Sequence, residues 1–299
     1  MKMSFCLCLS MMIACLFCFS CHSAENEKFS EKNQALVKEK RQNIEAEIKA
    51  LKDHPWAGSY YQGDGLGTNM SLTIAPKSGF AFAWHGCLGL YDQNHGNVTE
   101  NDGQIKLTFA FENKEEGFAG CPGELTPIHW GERIYLIPSK GLIAFCNDIN
   151  SRQEPRTVPH GFFFLRDNDW DKKVDGMKPE LPEKYLPYLL EHPVDAKITE
   201  IVETRESQNN PNVMIVTVRV DKGKKDGLLP GMKLHVTKPD FVFDEVRLKN
   251  VDETQSEGIF WYNKEEASPG FFGFGKKDPS PKTGWSVSTC PSWSRNDRF

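Results

Sequence analysis

Apolar and polar positions change pattern several times along the chain. Residues 27–53 contain no Gly or Pro, and Val37, Ile44, Ile48 and Leu51 recur there at spacings of seven, four and three. This periodicity predicts a helix with a narrow apolar stripe, capped by Ser30 and interrupted on that stripe by Arg41. The first expectation is a helix packed along the domain that follows; a spacer holding that domain off a membrane is the second. His54-Pro55 stops the helix, because the residue before a proline is driven out of helical backbone.

From Trp56 the period shortens to two. Ser71–Ile74, Gly79–Trp84, Gln104–Phe109, Arg133–Ile137 and Gly161–Leu165 read as strands, with turn signals at Pro76–Gly79, Asn101–Gly103 and Pro138–Gly141. Residues 56–166 are therefore expected to form an antiparallel β-barrel or sandwich. Residues 167–195 carry Pro179, Pro182, Pro187 and Pro193 and read as a linker with a helical turn or two near Tyr185–Leu190. Alternation resumes in Asn212–Val220, and further strands at Gly231–Val236, 243–252, 256–262 and Trp285–Thr289 define a second small β-rich, barrel-like domain over 196–290. Residues 291–299 are a tail. The fold class expected is mainly β.

Composition adds modest constraints. The 299 residues carry a net charge of −5, with 26% charged and 11% aromatic residues including 20 Phe. The aromatic content suits sheet packing. With no basic surplus to neutralise phosphates, nucleic acid is not an expected partner.

The N-terminus reads as an address. Met1-Lys2 is followed by the apolar run Phe5–Phe19, and about fifteen residues is shorter than the twenty or so that a bilayer core requires. This is the proportion of a secretory signal, so residues 1–24 are expected to direct export to the periplasm or cell surface. Ser20-Cys21 resembles the end of a bacterial lipobox, with Cys18 where that pattern prefers Leu; the resemblance implies acylation at Cys21. Ordinary cleavage near Ala24 is the alternative. A membrane contact is expected only through such a lipid.

Gly223-x-x-Asp226-Gly227-Leu228-x-x-Gly231-Met232 resembles a hairpin of small β-barrel modules in bacterial envelope proteins, the rod-shape-determining scaffold family among them. Ser256 and Gly284-Trp285-x-Val287 fit the same layout over residues 212–289. The resemblance implies packing or partner binding rather than catalysis. Trp84-His85-Gly86-Cys87-Leu88-Gly89-Leu90 resembles the catalytic core of L,D-transpeptidases, which implies a Cys87 nucleophile beside His85 on a cell-wall substrate. Trp84 stands where that pattern has Ser or Thr, Gly89 where it has Arg, and no second His-Gly lies upstream. Trp56-x-Gly58-x-Tyr60 resembles the opening of lipocalin barrels and implies a small-ligand carrier, provided that Phe80, Phe82 and Phe109 do not fill the interior.

Cys87, Cys121, Cys146 and Cys290 follow the leader, and in an oxidising compartment they suit two disulfides in any of three pairings. Asp92-x-Asn94-x-Gly96-Asn97 spaces oxygens like a calcium loop but has Gly103 at the twelfth position, so a turn is expected there. Gly63-Asp64-Gly65-Leu66-Gly67 joins strands in this reading. His95, His129, His160, His192 and His235 have no ligand spacing. No metal or cofactor is expected. The leading expectation is a non-enzymatic exported envelope protein, a binding or structural module whose partner is a protein or a glycan. The alternatives are a cell-wall enzyme using Cys87 and His85, and a lipocalin-like carrier.

Overall fold

A computed structural model describes residues 27–63, 67–113, 120–152, 155, 163–174, 177–239, 244–264 and 278–291. The leader, with Cys21 and Ala24, lies outside them, as do the tail from residue 292 and the centre of the Gly63–Gly67 segment. The chain is mainly β and forms two compact units, Met1–Ser139 with Phe162–Lys173, and Lys140–Gly161 with Val174–Phe299.

The first unit opens with helix α1 (Glu31–Leu51). The Ser30 side chain accepts the Asn33 N–H at 3.2 Å and so satisfies one donor of the first turn. Eight strands follow: β1 (Gly58–Gly63), β2 (Thr68–Ala75), β3 (Gly79–Gly86), β4 (Gly89–Asn101), β5 (Gln104–Phe109), β6 (Glu124–Trp130), β7 (Arg133–Pro138) and β8 (Phe164–Arg166). Each runs antiparallel to the next, and β8 pairs back onto β1 to close the barrel.

Alternation decides which side chains fill this barrel. Leu72 and Ile74 lie opposite Phe82 and Phe80, and all four are fully buried in one core with Ile105, Leu107, Leu125, Leu136 and Phe164. Phe109 packs edge-on against Phe80 at 5.3 Å. The other faces of β2 and β3 carry Ser71, Thr73, Ala81 and Ala83, small groups on which α1 lies with Val37 and Ile44 buried. Arg41, on the apolar stripe, donates to Ser71 Oγ at 3.5 Å, while the Glu47 carboxylate accepts the N–H groups of Lys77 and Ser78 at 3.0 and 2.6 Å. The helix is thus fixed to the β2–β3 hairpin along its length.

In the second unit, helix α2 (Leu142–Asn150) accompanies β9 (Asp195–Glu206), β10 (Val213–Val220), β11 (Lys233–Lys238), β12 (Glu245–Val251), β13 (Ser256–Asn263) and β14 (Ser286–Ser288). The strands close in the order β10-β13-β12-β11-β14-β9 around Ile198, Val218, Leu234, Val246, Leu248 and Phe260. Asn147 on α2 clips the β11 approach, donating to Gly231 O at 3.0 Å and accepting from Lys233 N at 3.2 Å. Residues 140–161, which strand periodicity placed inside the first barrel domain, count with this unit.

The Asp226-Gly227 segment, expected as a hairpin, is instead a tight helical turn in the crossover from β10 to β11, which are not neighbours in the sheet. Asp226 accepts the Gly223 N–H at 3.0 Å and the Lys222 ammonium at 2.9 Å, and these contacts, the backbone bond first, hold its carboxyl below the ordinary range. Gly227 follows at φ 87°, in left-handed backbone open to glycine. Ser256 donates to Lys222 O at 2.7 Å and ties the next hairpin to this turn.

Candidate functional site

The segment expected as a turn around Asp92 lies within β4. Asp92 and Asn94 are opposite Trp84 and Phe82, so the alternating oxygens face the barrel interior instead of a common cation. Asn94, fully buried, donates to Phe111 O at 3.0 Å and accepts from Phe111 N at 3.3 Å. Asp92 pairs with Lys28, whose Nζ lies 2.5 Å away and also donates to Glu112 O at 3.4 Å. Both polar groups are thereby occupied, and among the described residues no group of three metal-ligating side chains occurs.

These residues lie near one end of the eight-stranded barrel, where β3 turns into β4. Trp84 is half-buried on the inner face, and its ring lies 5.4 Å from Tyr91 at an interplanar angle of 44°. The pairing shifts register between Trp84 and His85, which brings Tyr91 beside Trp84. Gly86 leaves space for this ring: a β-carbon there would stand 1.9 Å from it. Tyr91 remains 45% exposed and Leu88, at the hairpin tip, 90% exposed. Trp84 Nε1 is buried yet has no acceptor among the described residues. A buried N–H without an acceptor costs free energy, so an incoming acceptor gains more here than at a hydrated surface. On the outer face at this end, Tyr61 stacks on Trp170 at 5.7 Å and hydrogen-bonds Asn69.

His85 and Cys87 occupy the same hairpin. Cys87 and Leu88 form its two-residue tip between the paired Gly86 and Gly89, and both His85 and Cys87 are exposed. Such a tip presents the thiol to solvent without enclosing a substrate.

The expected disulfides are corrected: no bridge joins any two of Cys87, Cys121, Cys146 and Cys290. The last three are buried where small apolar groups are needed. Cys121 is held by Asn113, which exchanges bonds with its backbone at 2.7 and 3.1 Å. Burial pushes the Cys146 thiol up to about 12, far from thiolate chemistry at neutral pH. Cys290 directs its sulfur at the Ser151 and Pro291 carbonyls at 3.8 and 3.9 Å.

The Trp84–Tyr91 pair was not legible as a site. Its signal in the sequence is two aromatics flanking the His-Gly-Cys run, and only the register shift in β4 brings them together. No family model, curated protein or solved structure matches this chain. Among the described residues no helix is long and apolar enough to cross a membrane.

Proposed function

We propose that the protein is an exported cell-envelope binding module, not itself catalytic, that takes a glycan at the mouth of its eight-stranded barrel. The observation that carries this reading is the buried, unanswered indole N–H of Trp84 beside the exposed ring of Tyr91. A sugar ring offers an apolar C–H face to stack on such rings and a rim of oxygens to accept the N–H. Barrel mouths are common places for such contacts. Phe80 and Phe82 take up the interior, which favours a ligand held at the rim over one enclosed as in a lipocalin-like carrier. The apolar leader supports export.

The test titrates soluble cell-wall glycan strands into the mature protein by calorimetry. Trp84→Phe keeps an aromatic ring and removes the donor, so binding should weaken about five- to tenfold, the value of one hydrogen bond. Tyr91→Ala should weaken it at least as much. Glycan binding that is absent, or unaffected by both changes, defeats the reading.

A further inference from the structure

Strand β9 extends well beyond the part of the second barrel that it closes. Its β14 neighbour covers only Asp195–Lys197, whereas β10 runs beside it as far as Glu206. From Thr199 to Glu206, one edge of β9 therefore has no strand beside it among the described residues. An open edge is a template for another strand, and its side chains decide which strand is acceptable.

Val202 interrupts this edge. Thr217 lies opposite Glu203 and Val218 opposite Ile201, so Val202 is the extra residue of a bulge and stands 41% exposed. Beyond it, Glu203–Glu206 is the regular stretch left for pairing. Glu203 and Arg205 are opposite Thr217 and Ile215 and share the outer face of the sheet. Neighbouring acids are already engaged, Glu200 by Arg219 and Glu206 by Lys264. Glu203 and Arg205 have no ion-pair partner among the described residues, and both are exposed.

We propose that two copies of this chain pair through this edge, antiparallel about a two-fold axis at Thr204. In that register Glu203 of each copy faces Arg205 of the other, twice by symmetry, and Thr204 meets itself, a favourable β-branched cross-strand pair. Centring the axis one residue earlier sets Glu203 against Glu203 and Glu200 against Glu206, which like-charge repulsion opposes. The self-complementary charge order is the argument for a second copy over an unrelated strand. Because the regular stretch is short, the dimer is a weak, concentration-dependent one.

Sedimentation velocity on the mature full-length protein over a concentration series tests this. Wild type should show a monomer–dimer equilibrium that weakens with added salt. Glu203→Arg and Arg205→Glu each turn two attractive pairs into repulsive ones and should weaken association about tenfold or more. The double exchange, Glu203→Arg with Arg205→Glu, restores the pairs and should restore the dimer. All three variants lie at exposed positions, and circular dichroism would register a folding defect. A monomer at every concentration, a dimer indifferent to the single changes, or a double exchange that fails to recover it overturns the proposal.

Discussion

Asp148 lies on α2 with its carboxyl in the packed face, near Lys233 and Glu245. Burial drives it from 3.8 up to about 7, against the pull of Lys233 and with the push of Glu245. The folded chain thus binds this proton more tightly than the unfolded chain. Its stabilisation is complete below the unfolded value and is lost as pH rises through the folded one. His235, next to the same Lys233–Glu245 pair, is shifted down, by burial first, and acts in the opposite sense: it costs stability as pH falls below its ordinary value. Comparing wild type with Asp148→Asn isolates the first effect. The stability difference measured by urea unfolding should move in favour of the variant between about pH 4 and 7, by up to a few kcal/mol, and then level off. A difference that does not change with pH would remove the buried-carboxyl account. The thiols make a second residue-level contrast. Cys87, at an exposed tip, should alkylate in the folded protein, whereas Cys121, Cys146 and Cys290 should react only on unfolding, as mass spectrometry of the modified peptides would register.

Among the elements, α1 depends most on its neighbours. Only a narrow stripe of the helix is apolar, and its docking rests on small outward residues of β2 and β3. Ile44→Ala should cost about 2–5 kcal/mol through lost burial and a cavity. Ala81→Leu should cost about 1–3 kcal/mol by the opposite route, forcing the helix off its seat. Thermal unfolding measures both. The stripe was readable in the sequence because spacing alone defines it, and Ser30 marked the start. Strands β2, β3, β5, β7 and β10 were readable for the same reason. By contrast, β4 was not, since Asp92, Asn94 and Gly96 are its inward residues and imitate a turn. Pro127 hid β6: proline cannot donate to a ladder, but β5 pairs only with Glu124 and Leu125, so the missing donor is not needed there. The charges of β9 concealed a strand whose outer half meets solvent.

At the scale of the whole molecule, two closed barrels share one chain, and closure is how each disposes of its sheet edges. The exposed stretch of β9 is one edge that closure leaves open among the described residues, and the proposed dimer would cover it. The chain between β7 and β8 leaves the first unit, contributes α2 to the second and returns. Period-two alternation, the turn residues and the helical stripe determined by themselves that the protein is mainly β, in two parts behind a helix, because each of those signals is local in the chain. Only the tertiary structure decided that β8 returns to β1, that α2 belongs with the later strands, that the buried thiols are unbridged, and that Trp84 meets Tyr91 over Gly86. Each of those outcomes depends on register and on burial across distant segments, which no local pattern of residue types specifies.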